Sequence, residues 1–290
     1  MRMPVWAGLL WLAACAVGVA SAKLVEEQID LPVKVQDRHG QIHAQDIRVT
    51  VFWDDASPVP RTPVVLQHGR ATTLAKRQAF GRARYGDASR WLARRGFVVA
   101  VPTRIGYGVS GGDDVEDSGP CARRQFVPAY RAGAEQTLAA LRHLRARPEV
   151  SQDKALFMGQ SFGGATALAA ASLRPQGLTA VINFAGGGGG DPVGHPGQPC
   201  SEPAMKAMLG SYGRSVQVPT LWLYAENDLF FGPDHPQAWA EAFRAAGGQV
   251  EFVQFPPHGD DGHLLFTQFP AVWQPVVADF LRRQGFNFKD

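Results

Sequence analysis

Lys154-Ala-Leu-Phe-Met158-Gly159-Gln160-Ser161-Phe162-Gly163-Gly164 decides the reading of this chain. A short apolar run enters a glycine turn that carries one serine, and an Ala-rich segment follows to about Leu173. A strand that becomes a helix within one residue leaves no room for β-carbons beside the turn. Glycines therefore flank the serine, and the strained turn holds its hydroxyl proud of the sheet. The spacing is that of a nucleophile elbow. Glycine is abundant, at 32 residues, and the same spacing recurs as Gly108-Val109-Ser110-Gly111-Gly112. The flanks separate the two. Ser110 leads into the acidic loop Gly112-Asp-Asp-Val-Glu-Asp-Ser-Gly119, which supplies no helix N-terminus, whereas Ser161 has a strand before it and a helix after it.

Outward from the elbow, strand-like and helix-like segments alternate. Extended runs at Leu24–Val35 and His43–Trp53 suit an antiparallel hairpin. Pro63–Gln67, Phe97–Val101, Leu178–Phe184, Thr220–Ala225 and Val250–Phe255 read as further strands. Helices are expected at Gly86–Arg95, Phe126–Arg145, His235–Ala246 and Ala271–Gln284, from apolar residues recurring at helical spacing. This alternation predicts an α/β fold, a mostly parallel twisted sheet with helices on both faces. No linker or repeat divides residues 23–290. Two irregular stretches, Gly111–Cys121 and Gly186–Cys200, leave strand ends at the edge where such sheets place ligands.

The first 22 residues read as a signal peptide: Arg2, an apolar run from Val5 to Ala20, and a small-residue site Ala20-Ser21-Ala22 before Lys23. The run is shorter than the ~20 residues a membrane span needs. Leu12-Ala13-Ala14-Cys15 offers the alternative of a lipoprotein anchored at Cys15, although the residues after it stay apolar. Cleavage near Ala22 is the preferred reading, and it makes the protein periplasmic or secreted. Loss of Arg2 takes the formal charge from +3 to +2, which implies no nucleic-acid partner. Export leaves Cys121 and Cys200, an even pair in two irregular loops and an oxidising compartment. Their pairing would pin the glycine run Gly186–Gly190 at the pocket rim.

A serine hydroxyl needs a positioned base, and the base needs a carboxylate to orient it. The order Ser, Asp or Glu, His is satisfied: Glu226-Asn227-Asp228 follows one strand, and Pro256-Pro257-His258-Gly-Asp-Asp-Gly262-His263 follows the next. Asp228 is preferred as the acid because a loop tip can reach an imidazole, with Glu226 nearer the strand and Asp234 placed to cap a helix. His263 is preferred over His258 because Leu264-Leu265-Phe266 would bury one face of its ring. Backbone N–H groups of Phe162 and Arg70 are the expected oxyanion donors, with His68 bracing the turn before Arg70. The cluster His258, Asp260, Asp261 and His263 lacks metal-site spacing, and no metal or cofactor is expected. The remaining histidines default to surface roles. Phe162, Phe230, Phe231 and Leu264 are candidates to line an apolar entrance. Arg70, Arg104, Arg123 and Arg124 are candidates to meet a substrate carboxylate.

Five segments together resemble the α/β-hydrolase superfamily, and within it the dienelactone-hydrolase-like and prolyl-oligopeptidase-like group. They are His68-Gly69, Arg104-Ile-Gly106-Tyr107-Gly108-Val-Ser110-Gly111, Gly159-Gln-Ser161-Phe-Gly163, Ala225-Glu-Asn-Asp228 and Asp261-Gly-His263. The resemblance spans about residues 25 to 285. It implies a hydrolase with a Ser161, Asp228, His263 triad, acting on a small ester or, alternatively, a short peptide or amide. A non-catalytic member of the fold is disfavoured because all three positions are filled. Two departures stand out. Dienelactone hydrolases proper carry a cysteine nucleophile and are cytoplasmic, and prolyl-oligopeptidase-type enzymes usually carry a propeller domain. Acyl length, the choice between ester and amide, and oligomeric state stay open.

Overall fold

The computed structural model describes residues 23–71 and 73–288. The expected leader, with Cys15 and the cleavage point at Ala22, lies outside the described residues. The strands are β1 (Leu24–Gln36), β2 (Ile42–Asp54), β3 (Thr62–Gln67), β4 (Phe97–Pro102), β5 (Ala155–Gln160), β6 (Leu178–Phe184), β7 (Thr220–Ala225) and β8 (Val250–Phe255). They form one sheet in the order β1-β2-β4-β3-β5-β6-β7-β8. The β1–β2 and β2–β4 pairs are antiparallel and every other pair is parallel. The helices are α1 (Leu74–Gln78), α2 (Gly86–Ala93), α3 (Phe126–Arg145), α4 (Phe162–Ser172), α5 (Glu202–Ser215), α6 (Asp234–Ala245), α7 (Leu265–Gln268) and α8 (Pro270–Arg283).

Side-chain alternation explains the layers. On the edge strand β1, Leu31, Val33 and Val35 are buried while Pro32 and Lys34 are exposed, and proline is tolerated there because an edge need not donate to a neighbour. Central β5 is buried throughout. Its Ala155 and Phe157 face one core with Tyr130, Leu168 and Trp239. Its Leu156 and Met158 face the other, with Trp91, Trp273 and Phe280. Helices thus cover both faces of a mostly parallel sheet, which is the α/β-hydrolase architecture. The small residues of α4 let it lie close to the sheet and to α3: a β-carbon on Gly133 of α3 would come within 2.8 Å of Thr166 Cγ2.

Three local expectations change. Helix α5 is not foreseen, since Gly210 and Gly213 interrupt its pattern. Asp234 does not cap α6. It is the first helical residue, behind Pro233, where its charge suits the helix dipole. The Gly186–Gly190 run is packed rather than free. Only Gly189 has a positive φ, +86°. A β-carbon on Gly187 would strike Trp239 and Phe231, and one on Gly188 the Tyr130 hydroxyl. Cys121 and Cys200 form the expected disulfide, with Cα atoms 5.4 Å apart, and the Cys200 N–H donates to the Gly189 carbonyl at 2.9 Å.

Candidate active site

Ser161 sits between β5 and α4 at φ 58°, ψ −128°, a conformation that costs a non-glycine residue roughly 1–3 kcal/mol. Its neighbours explain how the turn is built. A β-carbon on Gly159 would lie 2.2 Å from the Gly163 carbonyl oxygen, and one on Gly163 would lie 2.2 Å from that of Gln67. The Ser161 N–H donates to the Phe184 carbonyl at 2.9 Å, continuing the pairing with β6. Ser110 has a different setting. Its Oγ donates to the Thr103 carbonyl at 2.5 Å and accepts from the Arg48 N–H at 2.9 Å, so it ties a loop to β2.

Two loops at the ends of β7 and β8 bring Asp228 and His263 together. Nδ1 of His263 lies 3.0 Å from Oδ2 and 3.1 Å from Oδ1 of Asp228, and both residues are buried. The N–H groups of Phe230 and Phe231 donate to Asp228 Oδ1 at 2.8 and 3.1 Å, so the turn fixes its own carboxylate. Asn227 and Asp261 stitch the loops. Asn227 Nδ2 donates to the Gly259 carbonyl at 2.9 Å and its Oδ1 accepts from His258 N–H at 2.9 Å. Asp261 Oδ1 accepts from the N–H groups of Leu229 at 3.0 Å and His263 at 2.9 Å. Gly262 permits this approach, since a β-carbon there would lie 2.6 Å from Ala225 Cβ.

The alternatives separate here. Glu226 is exposed. His258 turns its Nδ1 to the Pro256 carbonyl and its ring to Phe269. One expectation needs correction: the His263 ring is not oriented by the residues that follow it. Phe230 stacks on it at 4.0 Å and Phe231 meets it edge-on at 5.3 Å, while Leu265 and Phe266 join the opposite core. Among the described residues no group of three or more His, Cys, Asp or Glu could hold a metal ion.

Ser161, Phe162, Arg70, Phe230 and Phe231 line one cavity of about 60 Å³. Leu264, expected there, is absent from its wall, and Gly187 to Gly190 supply bare backbone instead. A larger groove of about 590 Å³ between β1 and α3 contains none of these residues, so the chemistry selects the smaller space. The residue before the serine reaches the histidine loop, with Gln160 Nε2 donating to the His263 carbonyl at 3.2 Å. Tyr85 joins Gly69 to this contact. Its hydroxyl accepts from the Gly69 N–H at 3.2 Å and donates to Gln160 Oε1 at 3.0 Å, and burial raises its pKa to about 12. Among the described residues nothing accepts from the N–H groups of Phe162 and Arg70.

The four candidate arginines also sort themselves. Arg104 is fully buried against Glu116, Arg70 holds Asp114 through two bonds of 2.7 and 2.6 Å, and Arg123 is exposed. Arg124 alone of the four lines the cavity without a carboxylate partner among the described residues. Its Nε lies 3.1 Å from Cys200 Sγ and its Nη1 3.0 Å from Ser118 Oγ. Burial and the nearby Arg70 charge lower its pKa, as a cation lacking a counter-ion requires.

The sequence profile of the dienelactone hydrolase family matches residues 77–263, ending on the histidine of the site. The chain belongs to the dienelactone hydrolase family. Membership makes it a hydrolase, and solved structures agree on the fold. An esterase from Pyrococcus furiosus superposes with a TM-score of 0.56 at 15% identity, over 88% of this chain and 90% of the esterase. An acylaminoacyl peptidase from Pyrococcus horikoshii reaches 0.61 at 14% identity, over 89% of this chain but 42% of the peptidase. A dienelactone hydrolase-like promiscuous phosphotriesterase from metagenomic libraries reaches 0.51 at 20% identity, over 80% and 82% of the two chains. No curated protein matches the sequence. Within the dienelactone hydrolase family frame, the elbow of this member carries serine.

Proposed function

We propose that this protein is an exported serine hydrolase that cleaves carboxylic esters through Ser161, His263 and Asp228 by way of an acyl-enzyme. The observation that carries the reading is the buried pair to which the elbow is tied. Gln160, next to Ser161, donates to the His263 carbonyl at 3.2 Å, and His263 Nδ1 bonded to Asp228 leaves Nε2 as the nitrogen free to take a proton. In the proposed sequence, Ser161 Oγ bonds to the ester carbonyl carbon as its proton passes to His263 Nε2. Asp228 holds the tautomer and stabilises the imidazolium that forms. The carbonyl oxygen becomes an anion facing the N–H groups of Phe162 and Arg70. Collapse breaks the ester C–O bond, and the alcohol leaves with the proton from His263. Water then repeats the sequence on the acyl-enzyme and releases the acid.

The cavity of about 60 Å³ suits a short acyl group. Arg124 in its wall, with no carboxylate bonded to it among the described residues, suits a substrate that carries a negative charge. Export is supported by the disulfide, which persists in oxidising compartments. No described helix is long and apolar enough to cross a membrane. The test is a panel of p-nitrophenyl esters and aminoacyl anilides, assayed beside Ser161→Ala. Short esters should turn over, with the activity lost in the variant. Turnover of anilides alone would make the protein an amidase, and unchanged ester turnover in the variant would remove Ser161 from the chemistry.

A further inference from the structure

The loop that passes Ser161 is held from behind by a buried polar cluster that the proposed chemistry leaves unused. Arg104 is fully buried. Its guanidinium pairs with Glu116, which also accepts from the Tyr107 hydroxyl at 2.9 Å. Its Nη1 donates to Gln67 Oε1 at 3.0 Å and to the His68 carbonyl at 2.8 Å, and its Nη2 lies 3.4 Å from the Gly69 carbonyl. His68 is buried between the rings of Phe80 and Tyr107, each centroid 4.6 Å away. Its Nε2 accepts from the Arg104 N–H at 3.2 Å, so Nδ1 carries the proton and donates to the Gly69 carbonyl at 2.7 Å. Burial and the Arg104 charge hold the His68 pKa well below 6.5, which keeps this neutral tautomer in place.

Two inward donors thus fix the Gly69 carbonyl. In a trans peptide the C=O and the following N–H point in opposite directions. The Arg70 N–H belongs to that same peptide unit and faces away from the cluster. Ser161 lies close by: a β-carbon on Gly69 would stand 3.2 Å from Ser161 Cβ. We infer that His68, backed by Arg104, is a positioning residue that aims the Arg70 N–H at the oxyanion through the Gly69–Arg70 peptide. The inference rests on Ser161 being the nucleophile. It gives His68 a part in the reaction without any contact with substrate.

The test compares His68→Asn with His68→Leu, which have nearly the same shape. The Asn amide can place a donor where Nδ1 stands, and Leu cannot. Both are assayed below their melting temperatures, with wild-type labelling of Ser161 by a fluorophosphonate as the control. Loss of a whole oxyanion donor costs ~10²–10³ in rate, so a misaimed one should cost about 10–100-fold in kcat. We expect that loss in His68→Leu with KM within about twofold of wild type, and most of the rate restored in His68→Asn. Affinity for a trifluoromethyl ketone, which forms a tetrahedral adduct with an oxyanion, should weaken in proportion to kcat. Equal kcat in the two variants, or undiminished ketone affinity in His68→Leu, overturns the inference. Failure of the fluorophosphonate to label Ser161 in wild type would instead sink the triad reading itself.

Discussion

Two serines in this chain share one spacing, Gly108-Val109-Ser110-Gly111-Gly112 and Gly159-Gln160-Ser161-Phe162-Gly163, and they have opposite fates. The Ser110 hydroxyl is engaged twice, by the Thr103 carbonyl and the Arg48 N–H. Ser161 lines a cavity. The glycines differ in backbone conformation as well. All four flanking ones are crowded, since a β-carbon would lie 1.8 Å from the Gly81 carbonyl oxygen at Gly108, 2.3 Å from Gln45 Oε1 at Gly112 and 2.2 Å from backbone at Gly159 and Gly163. Gly108 and Gly112 take positive φ, +40° and +88°, whereas Gly159 and Gly163 do not. Around Ser110 glycine serves a turn, with φ +60° at Gly111. Around Ser161 it serves contact between a strand and a helix. A pentapeptide is therefore a weak signal, and the elements on either side of it make a serine available for chemistry.

The largest effect that probes this contrast is on turnover. Ser161→Ala should lower kcat by roughly 10⁴–10⁶, because triad members act as one unit. Ser110→Ala should leave kcat unchanged and instead cost about 1–3 kcal/mol of stability, through the partners it strands. Equal kinetic losses would erase the distinction. Next in size, Asp228→Asn should reduce kcat by about 10⁴ with the fold retained, since the imidazole loses the partner that sets its tautomer. Glu226→Gln, on an exposed side chain, should leave steady-state rates near wild type. A larger loss from the Glu226 change would move the acid to that residue. Smallest, Arg124→Leu should raise KM about tenfold for esters bearing a carboxylate and little for neutral ones, on the order of one charge-assisted contact. The same rise for both classes would show that Arg124 shapes the rim without reading charge.

Much of the fold was legible because its strands are short apolar runs with clear ends. The segments at Phe126–Arg145, Leu178–Phe184, Thr220–Ala225 and Val250–Phe255 stand where the pattern put them. Helix α5 was hidden by its glycines. The pairing of His263 with Asp228 could be anticipated from their order after successive strands. What holds them could not. Phe230 against the His263 ring, Asn227 and Asp261 across two loops, and Arg104 with Glu116 under the Gly69 turn are all contacts between residues far apart in the chain or silent in pattern. Glu116 lies in an acidic stretch that reads as a solvated loop, yet it is fully buried. Its partner Arg104 was one of four equivalent candidates until burial separated them.

The central claim is that context rather than motif selects the nucleophile, and one measurement meets it directly. The purified protein is reacted with a fluorophosphonate, digested, and the modified serine located by mass spectrometry. The account predicts a single adduct on the peptide carrying Ser161, absent in Ser161→Ala and undiminished in Ser110→Ala. An adduct on Ser110, or on any serine other than 161, would contradict it.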